Sequence, residues 1–243
     1  SLFKTTTSTY NSVDGTPFKR DIIKEMADAC QRNGIKLHLY YSHLDWGRED
    51  YPQGRTGLGT GRDKGKANWS SYYKFMNTQL TELLTHYGPI GAVWFDGWWD
   101  HDSDAKPFDW QLPEQYAMIH RLQPQCLIGN NHHQTPFPGE DIEIFERDLP
   151  GENKAGLSGQ NISRLPLESC RTINDHWGYN LTDDNYKSPK ELIQMLVRAA
   201  GKNANLLLNI GPEPGGALPS LALDRLQAIG KWLNKYGETI YCT

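Results

Sequence analysis

IGAVWFDGWWD, residues 90–100, is an apolar run interrupted by one carboxylate. Gly88-Pro89 stops what precedes it, and Asp96-Gly97 is a common turn pair, so the run predicts a short buried strand. An acid placed straight after Ala92-Val93-Trp94-Phe95, with two more tryptophans beyond it, is costly to keep charged unless something uses it. Taken alone, these residues also read as a strand end whose Asp caps a turn. Two further strands close in the same manner: YYS follows Leu39, and NIGP follows Leu208. Polar groups therefore gather at the carboxyl ends of strands, the face on which a (β/α)8 barrel carries its active site. A doubly wound sheet usually holds its ligand on a glycine turn after the first strand, and no such turn is present.

Working outward, helical and strand patterns alternate, which predicts an α/β fold with parallel strands. Residues 16–34 place Ile22, Met26, Ala29 and Cys30 at helical spacing and stop at Asn33-Gly34. Residues 70–88 set Tyr72, Phe75, Met76, Leu80, Leu83 and Leu84 along one side of a second helix. Further helices are predicted over 113–124, 189–201 and 219–237, with no clear helix between IEIFER and LESCRTI. Strands are predicted near 35–41, 91–96, 126–131, 141–146, 167–173 and 204–210. A closed barrel needs eight. The expected fold is a (β/α)8-barrel-like domain over residues 1–243, incomplete at its amino terminus.

The formal charge of −4 and the lack of a basic run argue against nucleic acid or an anionic membrane as partner. No stretch reaches the length of a membrane span, and the opening residues lack the apolar core of a signal peptide. Cys30, Cys126, Cys170 and Cys242 are widely spaced, so buried free thiols are expected rather than a zinc site. The sequons at Asn68, Asn161 and Asn180 are close to chance in an Asn-rich chain. The glycines of residues 45–66 fit neither phosphate-loop spacing, so that segment is expected to be an ordinary functional loop. No metal or organic cofactor is implied. The chain's 8 tryptophans, several in polar segments, suit either core packing or the apolar faces of sugars.

Asp96, Glu146 and Glu152 are the carboxylates at or near strand ends, and glycoside hydrolysis typically uses a pair. A surface Glu146 paired with Arg147 is the plainer alternative. YYSHLDW, VWFDGWW, WGYN and NANLLLNIGPEPGGALP, in this order, resemble glycoside hydrolase family 29, the α-L-fucosidases. The resemblance runs through YGETIY at 236–241 and implies a retaining glycosidase with an aspartate nucleophile. By the same resemblance the nucleophile falls on Asp96 and the acid/base on Glu146 in IFERD, with Glu152 in PGEN as runner-up. Substrate contacts are implied at Tyr40, with His38 on its strand face, and at His132, where many relatives carry an arginine. Trp99 and Trp177 resemble pocket aromatics; Gly97 is expected to make room, with Trp98 beside Trp99 as a pocket wall.

The implied substrate is a fucosylated oligosaccharide or glycoconjugate, and the implied compartment is periplasmic or secreted. The resemblance implies strand ends upstream of residue 1 bearing HWG and paired HH motifs, and a β-sandwich after GETIY; the adjacent His132 and His133 are expected on a different strand and are not that pair. Three readings stand: an exo-α-L-fucosidase, a fucose-binding or scaffold form of the fold without turnover, and a different barrel glycosidase. A homo-oligomer or a complementing amino-terminal fragment is expected to cover the missing strands. Release of chromophore from an aryl α-L-fucoside separates the first two, and a panel of aryl glycosides the third.

Overall fold

The structure is a computed structural model, and it describes residues 1–241. Cys242, expected as a free thiol, lies outside the described residues. The chain divides into two compact units. The first comprises Ser1–His132 and Phe137–Asp141, and the second His133–Pro136 with the chain from Ile142 onward.

The first unit is built on a parallel sheet in the order β1 (Leu37–Ser42), β2 (Ile90–Asp96), β3 (Leu127–Asn130). Helices α1 (Ile22–Arg32), α2 (Trp69–His86) and α3 (Leu112–Leu122) alternate with these strands. Asp21 caps α1 by accepting from Lys24 N, and Asn68 caps α2 by accepting from Ser71 N. Leu39, Val93, Phe95 and Ile128 line one sheet face and join Tyr72, Met76, Leu80, Leu83, Tyr116 and Ile119 in a core. The opposite face carries His38, Tyr40, Trp94, Asp96 and Leu127; Tyr40 is 63% exposed there.

Strict alternation from Ile90 would send Asp96 to the same face as Ile90. The register avoids this. Leu37 pairs with Ile90 but His38 pairs with Ala92, leaving Gly91 as an extra residue in a bulge. Beyond it Tyr40 lies opposite Trp94 and Ser42 opposite Asp96.

The second unit holds the parallel sheet β4 (Glu143–Glu146), β5 (Leu167–Thr172), β6 (Ala204–Asn209), with α4 (Pro189–Ala200), α5 (Ser220–Tyr236) and the short α6 (Glu238–Tyr241). A capping box of Ser188 with Glu191 opens α4. Leu192 and Ala222 from the helices bury against Ile173 and Leu208. As expected, no helix separates β4 from β5. Glu146 ends β4 on the face it shares with Ile144, in register with Cys170.

All six expected strands are present, within a few residues of their expected ends. One helical face differs from expectation. Met26 is 49% exposed, because α1 seats through Ile23 and Ala27, one turn apart, rather than through Ile22 and Met26. Cys126 and Cys170 are buried and outside any disulfide, and burial raises the Cys126 thiol to about 11. No helix among the described residues is long and apolar enough to cross a membrane.

Candidate active site

Asp96 is the last residue of β2 and its carboxylate is held by four donors. Tyr40 Oη donates to Oδ2 at 2.7 Å. Oδ1 accepts from Gly97 N at 2.9 Å, Trp99 Nε1 at 2.9 Å and Asn131 Nδ2 at 3.4 Å. Tyr40 is itself stacked on Trp94, with ring centroids 5.6 Å apart, so its hydroxyl is aimed by packing as well as by the strand. His38 shares this face two residues earlier, its ring lying over Gly91. Burial first, and then Lys36, lower its pKa.

The turn after Asp96 depends on glycine. Gly97 has φ +95°, and a Cβ there would meet Leu44 at 2.9 Å. The room it makes is therefore for Leu44, a correction to its expected role. Trp98 also departs from expectation: it is partly buried, its ring packed against Phe137 and His132 at the margin of the core. Trp99 alone of the pair turns to Asp96. The Arg55 guanidinium sits over its ring at 5.5 Å, and Arg55 Nε donates to its carbonyl at 2.8 Å.

Arg55 belongs to the glycine-rich loop, which is pinned from below by Asp100. That carboxylate is fully buried and accepts from Tyr51 Oη at 2.7 Å, from Thr56 N at 2.8 Å and from Thr56 Oγ1. Burial, and then the bond to Asp100, push the Tyr51 hydroxyl upward. Gly54 lies so close to Asp100 that a Cβ would come within 2.2 Å of its carbonyl oxygen.

His132, expected beside the nucleophile, is 2% exposed; its Nε2 faces both oxygens of Glu140, at 3.1 and 3.0 Å. The reason is strand alternation. Asn131 N donates to Phe95 O at 2.8 Å, extending the β3 ladder, so Asn131 falls on the Asp96 face and His132 on the helix face. Asn131 is the neighbour that reaches Asp96.

In the second unit Glu146 Oε2 lies 3.1 Å from His133 Nε2, and each side chain is 17% exposed. Arg147 does not supply the surface ion pair considered for Glu146; it takes φ +60° and extends over the Trp177 ring at 5.7 Å. Glu152 has two cationic partners, Lys154 Nζ at 3.1 Å and Arg198 Nη2 at 2.8 Å. The Lys154 hydrogen bond, aided by Arg198, holds its carboxyl below the usual range. A carboxyl held ionised by two cations is poorly suited to giving up a proton.

A family model described as alpha-L-fucosidase matches residues 1–238. The chain belongs to that family. It is 28% identical to a putative alpha-L-fucosidase of Caenorhabditis elegans, over 96% of this chain and 45% of that protein. It is 29% identical to the plasma alpha-L-fucosidase of Rattus norvegicus, over 96% of this chain and 48% of that one. The chain thus spans about half the length of these curated relatives. Among solved structures, alpha-L-fucosidase isoenzyme 1 from Paenibacillus thiaminolyticus superposes with TM-score 0.83 at 36% identity, covering 99% of this chain and 58% of that one. Alpha-L-fucosidase AlfC from Lactobacillus casei, solved with alpha-L-fucose product, gives TM-score 0.79 at 28% identity, covering 98% and 72%.

For a fucosidase-family chain, the sequence reading overlooked Asn131, His133 and Arg55. Asn131 was within reach of strand parity, since it lies two residues beyond Gly129, which faces with Trp94. Arg55 and His133 are brought to their partners by loops, and no periodicity marks them.

Proposed function

We propose that this chain is the catalytic portion of a retaining exo-α-L-fucosidase that removes terminal α-L-fucosyl residues from glycoconjugates. The observation that carries the reading is the Asp96 carboxylate, fixed at a strand end by Tyr40, Gly97, Trp99 and Asn131. Three donors occupy Oδ1 and one occupies Oδ2, which leaves Oδ2 the freer oxygen to attack the anomeric carbon. A point mutant of AlfC has been solved with Fuca(1,6)GlcNAc and with 4-nitrophenyl-a-L-fucopyranoside, which supports a fucosylated substrate here.

In this reading Asp96 displaces the aglycone while Glu146 protonates the leaving oxygen. Glu146 then takes a proton from the water that releases fucose. Tyr40, His38, Trp99 and Trp177 contact the sugar, and buried His132 packs against Trp98. The six strands belong to a (β/α)8-like barrel completed by a second copy of the chain or by an amino-terminal fragment.

The test is Asp96→Ala. It is expected to lower turnover of an aryl α-L-fucoside by at least about 1,000-fold with folding unchanged, and azide is expected to restore turnover with a product of inverted configuration. Retention of more than about a tenth of the activity would remove Asp96 from the role.

A further inference from the structure

Directly after Gly97 the chain makes a single 3-10 turn, Trp98–His101, of which Trp99 is the second residue. A turn this short has little stability of its own, so the direction of the Trp99 indole depends on what holds the turn from outside. Arg55 holds it. Its N donates to Asp100 O at 2.9 Å, its Nε donates to Trp99 O at 2.8 Å, and its Nη2 lies 3.1 Å from Asp102 Oδ2. The guanidinium carbon sits 5.5 Å from the centre of the Trp99 ring. One planar fork thus meets a carbonyl, a carboxylate and a ring of the same turn at once, which a lysine could not do. The Arg55 side chain is 50% exposed, and the loop that carries it is anchored separately, through Tyr51 and Thr56 on buried Asp100. An ion pair so open to water adds little to stability, so holding the fold together does not account for the arrangement.

We infer that Arg55 is a positioning residue for the nucleophile and acts through Trp99. By fixing the turn it keeps the indole Nε1–H on Asp96 Oδ1, 2.9 Å away. The inference rests on the reading of Asp96 as the nucleophile. An attacking carboxylate has to keep its direction while its bond to the anomeric carbon forms, and a displacement on the order of 1 Å can cost about 100-fold in rate. Gly97 N also donates to Oδ1, but Gly97 is itself the entry to the turn, so it does not replace the clamp. The path runs from the loop to the turn, from the turn to the indole, and from the indole to the carboxylate.

The experiment is a double-mutant cycle of Arg55→Ala and Trp99→Phe on a 4-nitrophenyl α-L-fucoside, with Arg55→Lys and Asp96→Ala alongside. Phenylalanine keeps a ring and removes the N–H. Arg55→Ala is expected to lower kcat/KM about 10-fold and Trp99→Phe about 30-fold, with the double variant no worse than about 50-fold because both act on one contact. A double variant near the product, about 300-fold, would overturn the inference, as would either single variant without a loss. Arg55→Lys keeps the charge but not the fork, and is expected to recover little of the loss; full recovery would assign the effect to charge alone and overturn it. The melting temperature of Arg55→Ala is expected within about 2 °C of the wild type, and a larger fall would make Arg55 merely structural. Hydrogen exchange of the Trp99 indole N–H, assigned by its loss in Trp99→Phe, reads the clamp without turnover. It is expected to be at least about 10-fold faster in Arg55→Ala, and an unchanged rate would overturn the inference. Asp96→Ala with more than about a tenth of the activity would instead remove the nucleophile reading.

Discussion

The donors around Asp96 are shared unevenly: Oδ1 takes three and Oδ2 takes one, the Tyr40 hydroxyl. The backbone is held as well, through His43, whose N donates to Asp96 O at 2.7 Å. The His43 ring is fully buried, stacks on Phe95 at 4.4 Å and meets Gln115 Oε1 at 2.7 Å. Burial pushes its pKa down to about 4, against the Gln115 hydrogen bond. Its folded value lies below its unfolded one, so the unfolded chain binds the proton more readily. Stability is full above about pH 6.5 and falls as pH drops toward 4, by about 3 kcal/mol from this residue. Urea unfolding at a series of pH values is expected to show that loss in the wild type and to lack it in His43→Gln. Equal slopes in the two proteins would refute it.

At the level of strands and helices much was legible. Each predicted strand is an apolar run closed by polar residues, and Asn33-Gly34 and Gly88-Pro89 end their helices as the sequence indicates. Asp96, Tyr40 and Trp99 come together because strand ends and the turn after them are local features. What was not legible depended on distance or parity. Alternation turned His132 inward, and Trp98 was drawn to Phe137, 39 residues away by sequence number. The pinning of the glycine-rich loop on Asp100 likewise joins segments more than 40 residues apart, with Thr56 and Asp100 separated by 44. Asp100→Ala strands the buried Tyr51 hydroxyl and the Thr56 N–H, a loss on the order of 3 kcal/mol. The expected outcome is a lower melting temperature and rapid proteolytic cleavage between Gly47 and Arg62. Cleavage no faster than in the wild type would show that the loop is held by other means.

At the scale of the molecule, each three-stranded sheet has edge strands, among the described residues β1 and β3 in the first sheet and β4 and β6 in the second. Among the described residues β1 pairs with β2 and β6 with β5, while Tyr40 and Leu207 are 63% and 37% exposed. Unpaired strand edges invite association, so a stable preparation is expected to have them covered by a second copy or by another fragment. Light scattering with mass spectrometry tests this. A monodisperse 27.7 kDa monomer that melts cooperatively, with no other peptide present, would refute it. The Gly91 bulge bears on a different property, the tolerance of the chain to gain or loss of residues. Because Gly91 has no partner of its own in the ladder, its deletion leaves Ile90 opposite Leu37 and Ala92 opposite His38. The strand therefore holds one residue of slack at its beginning. Changes in the length of the α2–β2 connection can be taken up there, and the orientation of Asp96 is insulated from drift in the segment that leads to it.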